Sequence, residues 1–84
     1  MRDEEGLKEA IERTIYAHDL LMNTMEAQLQ RMEPDEDDDS EAAAQAELKC
    51  ETVGKMLRRA DDYLSTAILW MREIQQEMNG VWLN

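Results

Sequence analysis

From Ala43 to Met78 the apolar residues recur at alternating steps of three and four: Ala43, Ala46, Cys50, Val53, Leu57, Ala60, Leu64, Ala67, Met71, Ile74 and Met78. A strand would alternate every second residue, and this stretch does not. A mean step of 3.5 keeps one stripe of a helix against a partner helix, the pattern of a coiled-coil seam. A second seam precedes it, through Ile11, Ile15, His18, Met22, Met25, Leu29 and Met32, widened by Leu7, Thr14 and Leu21. Glu9, Glu12, Arg13, Asp19 and Glu26 fall on the other side. The chain therefore reads as two long amphipathic helices.

Local signals set the predicted boundaries. Asp3 is placed to cap the first helix, with Glu4 and Glu5 where carboxylates oppose the exposed amides of a first turn. Pro34 disfavours helical geometry in the residue before it, so the first helix is expected to span 3–33. Residues 34–40 form an acidic turn, short enough to join antiparallel neighbours. Asp39 or Ser40 caps a second helix, expected over 41–79, which opens on an alanine-rich run of high helix propensity. Gly54 costs about 1 kcal/mol against alanine in a helix, but the apolar register passes through it, so one continuous helix is expected. Asn79-Gly80 reads as a stop with Gly80 in left-handed geometry, leaving 80–84 as a short apolar tail. The expected fold is all-α: one domain over 1–84, an antiparallel two-helix hairpin.

One feature exceeds what a hairpin needs. Met56, Tyr63 and Trp70 recur every seven residues, each just before a seam position, and Ala67-Ile68-Leu69-Trp70-Met71 is apolar on nearly every side. A helix with a single neighbour buries one face, so a second apolar face calls for a further partner. The simplest arrangement is dimerisation of the hairpin into a four-helix bundle. Met56, Tyr63, Trp70 and Met71, with Trp82 in the tail, are the expected partner-binding residues.

Size and charge narrow the function. A chain of 84 residues buries a modest fraction of its surface, and with one cysteine it has no disulfide to staple it; association is the remaining source of stability. Seven methionines stand in for scarce aromatics: two Trp, two Tyr and no Phe. The net charge of −11 argues against direct contact with nucleic acid or an anionic membrane. Seven of the acids lie between Glu33 and Glu41, so the remainder carries only −4. No signal-type or membrane-spanning run is present in the sequence, and the cytoplasm is the expected compartment.

Candidate chemistry is sparse. His18 lies on the first seam and reads as a part-buried imidazole hydrogen-bonded across an interface; no second histidine or spaced cysteine completes a metal set. Cys50 reads as a small apolar seam residue, or as an interchain disulfide if two copies meet there. Asp35, Asp37 and Asp39 alternate as in a calcium loop, yet the sixth and twelfth positions hold Ser40 and Ala46 rather than glycine and glutamate. Starting the loop at Glu36 supplies Glu47 as the twelfth residue but puts Glu41 in the glycine position.

Glu9-Ala10-Ile11-Glu12 is similar to the Glu-x-x-Glu element of small all-helical MazG-type nucleotide pyrophosphatases, and Arg59 to Leu64 loosely resembles their second, Glu-x-x-Asp element. The resemblance implies magnesium-dependent hydrolysis, but Arg58 and Arg59 stand three residues before Asp61 and Asp62, where metal ligands are required. In size, charge and helical hairpins the chain also resembles the small acidic chaperones of bacterial secretion systems, a likeness of composition and architecture. The function expected is that of a non-catalytic interaction module, adaptor or chaperone-like, with itself or another protein as partner and no cofactor. The alternatives are an acidic, phage-type inhibitor that fills a basic nucleic-acid-binding groove through Asp35 to Asp39, and the MazG-like hydrolase.

Overall fold

The computed structural model describes residues 2–83, and these form two helices, α1 (Asp3–Met32) and α2 (Glu41–Trp82), folded back on each other as a hairpin. His18 on α1 meets Asp61 on α2, and Leu29 meets Cys50, the two positions lying eleven apart on either helix. The helices therefore run antiparallel and in step. Continued to the start of α1, that step sets Asp3 level with Gln76. The last residues of α2 reach roughly 9 Å beyond α1 at 1.5 Å per residue.

The result is a rod of 66 × 17 × 15 Å with a radius of gyration of 19.2 Å. A compact domain of this length would have a radius near ~12 Å. A rod two helices thick has almost no interior: among the described residues only Ile11 and Ala43 are buried, each 6% exposed. The hairpin seam is otherwise half-buried, from Leu7 to Met32 on α1 and from Ala46 to Trp82 on α2.

The ends are fixed by local chemistry. Gly6 donates its N–H to the Arg2 carbonyl at 3.0 Å, so Arg2 is the N-cap and Asp3, expected as the cap, sits in the first turn with Glu4 and Glu5. Their charges still oppose the amides there. Glu33, expected as the last helical residue, has ψ 124° and is the C-cap, pushed out by Pro34, although its N–H still reaches the Leu29 carbonyl at 3.1 Å. In the connection, Asp38 donates its N–H to the Asp35 carbonyl at 3.0 Å and accepts the Ser40 N–H at 3.0 Å. That N–H and the Ser40 side chain hold the exposed Asp38 carboxyl below its ordinary range. The Ser40 hydroxyl oxygen accepts the Ala43 N–H at 3.1 Å and caps α2.

α2 is unbroken through Gly54, as the register predicts. It is also unbroken through Gly80, where the sequence suggests a stop. No described glycine has positive φ, and the Leu83 N–H donates to the Asn79 carbonyl at 3.1 Å. Residues 80–82 are thus helical rather than a tail; Asn84 lies outside the described residues. The extension sets Trp82, half-buried, one turn beyond Met78 on the hairpin side.

The seam on α2 also departs from a strict heptad. Beyond Leu64 the half-buried positions are Ile68, Met71, Gln75, Met78 and Trp82, while Ala67 and Ile74 are exposed, Ile74 at 50%. An α-helix that does not supercoil advances 3.6 residues per turn and drifts ~20° per heptad, so the stripe facing α1 moves by one residue along this length. Ala67 and Ile74 are turned out of the hairpin.

Candidate functional site

The drift assembles a second stripe. Met56, Tyr63 and Trp70 are 64%, 76% and 63% exposed, and Ile74 and Val81 join them on the same side of the helix. At 100° per residue these side chains cluster about a quarter turn from the seam, with Ala67 among them. Met56, Tyr63, Ala67, Trp70, Ile74 and Val81 form an apolar line along the C-terminal two-thirds of α2, interrupted by Glu77. Met71, expected with them, faces α1 and is half-buried, and Trp82 is also on the hairpin side. Three of the five expected partner-binding residues are therefore brought together, and two sit on the other stripe. The 3.5-residue repeat puts Ile74 on the inner seam and leaves Val81 in the tail; a 3.6-residue period puts Ile74 on the outer stripe.

The two broad faces of the rod differ. On one, a shallow cleft is lined by Leu29, Gln30, Glu33, Glu47, Cys50 and Glu51. Beside it, Glu33, Asp35, Glu36, Asp38, Asp39 and Glu47 surround a second hollow at the turn, so the acids gather at one pole. Since Gln30 and Glu33 of α1 share that broad face with Glu47 and Glu51 of α2, the helical repeat puts the outer stripe of α2 on the opposite broad face. There α1 contributes small residues, Gly6, Ala10, Ala17 and Thr24. A flat, small-residue surface beside a row of large apolar side chains lets another helix approach closely.

Polar groups within the seam pair with each other. His18 Nε2 lies 2.5 Å from Asp61 Oδ1, and its Nδ1 is 3.9 Å from Asp19 Oδ1. The Ser65 hydroxyl donates to the same Asp61 oxygen at 3.4 Å. His18 is thus hydrogen-bonded across the hairpin interface. The Cys50 thiol, half-buried, donates to the Leu29 carbonyl with Sγ–O 3.9 Å. Glu9 is held by Arg13 at 2.6 Å, and Glu12 is level with Ala67, roughly 9 Å along the axis from the level of Asp61. Among the described residues, no group of His, Cys, Asp and Glu is arranged to hold a metal ion. No helix among them is long and apolar enough to cross a membrane.

No family model matches the chain, and neither a curated protein nor a solved structure matches it.

Proposed function

We propose that this chain is a non-catalytic interaction module whose working surface is the outer stripe of α2, and that it works as a four-helix bundle formed by two hairpins. One observation carries the reading. Five large apolar side chains of α2 (Met56, Tyr63, Trp70, Ile74 and Val81) stand half to three-quarters exposed in a line, while among the described residues only Ile11 and Ala43 are buried. Burying a large apolar side chain contributes about 1.5–3 kcal/mol, so covering this line adds to the stability of the hairpin. Adaptor or chaperone-like work fits a surface of this shape, because Met, Tyr and Trp give large contact area.

The test is the oligomeric state of a Tyr63→Ala/Trp70→Ala variant beside that of the parent chain. The reading expects association to be lost while helix content measured by circular dichroism is kept. Unchanged association in that variant contradicts it.

A second reading rests on the acidic pole, where Glu33, Asp35, Glu36, Asp38, Asp39 and Glu47 converge on one hollow. That surface suits a basic groove of the kind that normally holds nucleic acid, and the chain would then act as an inhibitor. Replacing Asp35, Asp37, Asp38 and Asp39 by asparagine abolishes such binding and leaves association through α2 intact.

A further inference from the structure

We infer that the outer stripe of α2 is covered by the same stripe of a second copy running antiparallel, with Ala67 of each chain against Trp70 of the other. This rests on the association reading above and specifies its geometry. The stripe follows its own heptad: Met56, Ala60, Tyr63, Ala67, Trp70, Ile74, Glu77 and Val81 step alternately by four and three. Helices that meet through such a seam stack side chains in layers. Turned end for end about a point between Ile68 and Leu69, the stripe sets Met56 against Val81, Ala60 against Glu77, Tyr63 against Ile74, and Ala67 against Trp70.

Size and charge both match in this register. The largest side chain, Trp70, meets one of the smallest, Ala67. Glu77 is the one charged residue of the seam, and it falls opposite Ala60, next to which Arg59 stands on the helix surface. Arg59 of one copy thereby flanks Glu77 of the other. Neither makes an ion pair with another of the described residues. On the same helix they are roughly 27 Å apart, beyond any intrachain contact.

A parallel pairing would stack each position on itself, set Glu77 against Glu77 and leave gaps between facing alanines. Like charges so placed repel. Tyr63 and Trp70 are 76% and 63% exposed, and an aromatic side chain buries roughly 150–250 Å². With Met56, Ile74 and Val81 they provide most of the roughly 800 Å² per partner of a standard interface.

Two experiments on the full chain decide the register. In sedimentation equilibrium, Arg59→Glu and Glu77→Arg should each weaken the dimer roughly tenfold by like-charge juxtaposition, and the double variant should recover to near the parent value. Additive losses with no recovery overturn the pairing. In a Cys50→Ser background, spin labels on Thr52→Cys should lie about 50 Å apart in the dimer, at 1.5 Å per residue from the centre of the stripe. A separation of about 20 Å means parallel copies and overturns the inference while leaving the stripe as the association surface. A parent chain that stays monomeric removes the second copy altogether; recovery of the Trp70 surface by a different protein would then be the form in which the interaction module survives.

Discussion

α2 carries two apolar stripes, and they differ in what they contain and in what covers them. The inner stripe runs through Val53, Leu57, Leu64, Ile68, Met71 and Met78, is half-buried against α1, and includes polar members such as Asp61 and Gln75. The outer stripe holds Met56, Tyr63, Trp70, Ile74 and Val81, each 50–76% exposed. The inner one is a hairpin seam of mixed quality, stitched by the His18–Asp61 pair. The outer one carries two exposed aromatics, Tyr63 and Trp70, and one charged member, Glu77. Burial in the monomer thus leaves Tyr63 and Trp70 more exposed than the smaller Leu57 and Leu64, and the proposal that the outer stripe is the place of association rests on that contrast.

The comparison breaks most directly at Trp70. Trp70→Glu places a charge in the centre of the outer stripe, and association should fall by at least ~100-fold, about 2.7 kcal/mol, in sedimentation equilibrium. Helix content should persist, since Trp70 is 63% exposed and about a quarter turn from the inner stripe. The matching change on the inner side is Ile11→Ala, at the one buried position of the α1 seam. It should cost about 2–3 kcal/mol in urea unfolding, at the lower end of core truncations because the surrounding seam is only half-buried. If Trp70→Glu unfolded the chain as severely as Ile11→Ala, the two stripes would not be separable.

Smaller effects sharpen the same division. A methyl group built at Gly54 meets nothing within 4 Å, and the helix passes straight through, so Gly54→Ala should raise stability by about 1 kcal/mol. That corresponds to roughly 4–8 °C in thermal unfolding for a domain of this size. Ser40→Ala removes the α2 cap and should cost about 1 kcal/mol. Association through the outer stripe should be unaffected by either at temperatures where the chain is folded.

The smallest expected effect is electrostatic. The folded-state pKa of Asp38 is depressed, first by the Ser40 N–H and then by the Ser40 side chain. Its contribution is therefore present above the ordinary carboxylate pKa and lost as pH falls through the depressed one. An NMR titration should place its midpoint below that of a free aspartate. In Ser40→Ala the midpoint should rise part of the way, because the larger contribution, the backbone N–H, remains.

Much of the fold is legible in the sequence alone. The hairpin, the break at Pro34, the continuity through Gly54 and the α1 seam follow from apolar spacing and one proline, which are local signals. The Ser40 cap was one of two candidates, and the structure decides between them. The drift of the inner seam was harder to read, because Ala67-Ile68-Leu69-Trp70-Met71 offers an apolar residue to either register. Only the 3.6-residue geometry of α2 assigns Ile68 inward and Ala67 outward. Asn79-Gly80 permits left-handed geometry and so reads as a stop, but permission is not a requirement, and the chain continues helically to Trp82. The partner of His18 lies 43 residues away in sequence, where no spacing rule points to Asp61. Met56, Tyr63 and Trp70 were visible from their seven-residue interval, whereas placing Met71 and Trp82 with them required knowing which side α1 occupies.

The central claim is that the outer stripe of α2 is an association surface, and light scattering of the parent chain and of Trp70→Glu, each at two concentrations, tests it directly. The account predicts twice the 9.8 kDa chain mass for the parent and a helical monomer for the variant. Equal masses for the two, whether both monomeric or both dimeric, would contradict it.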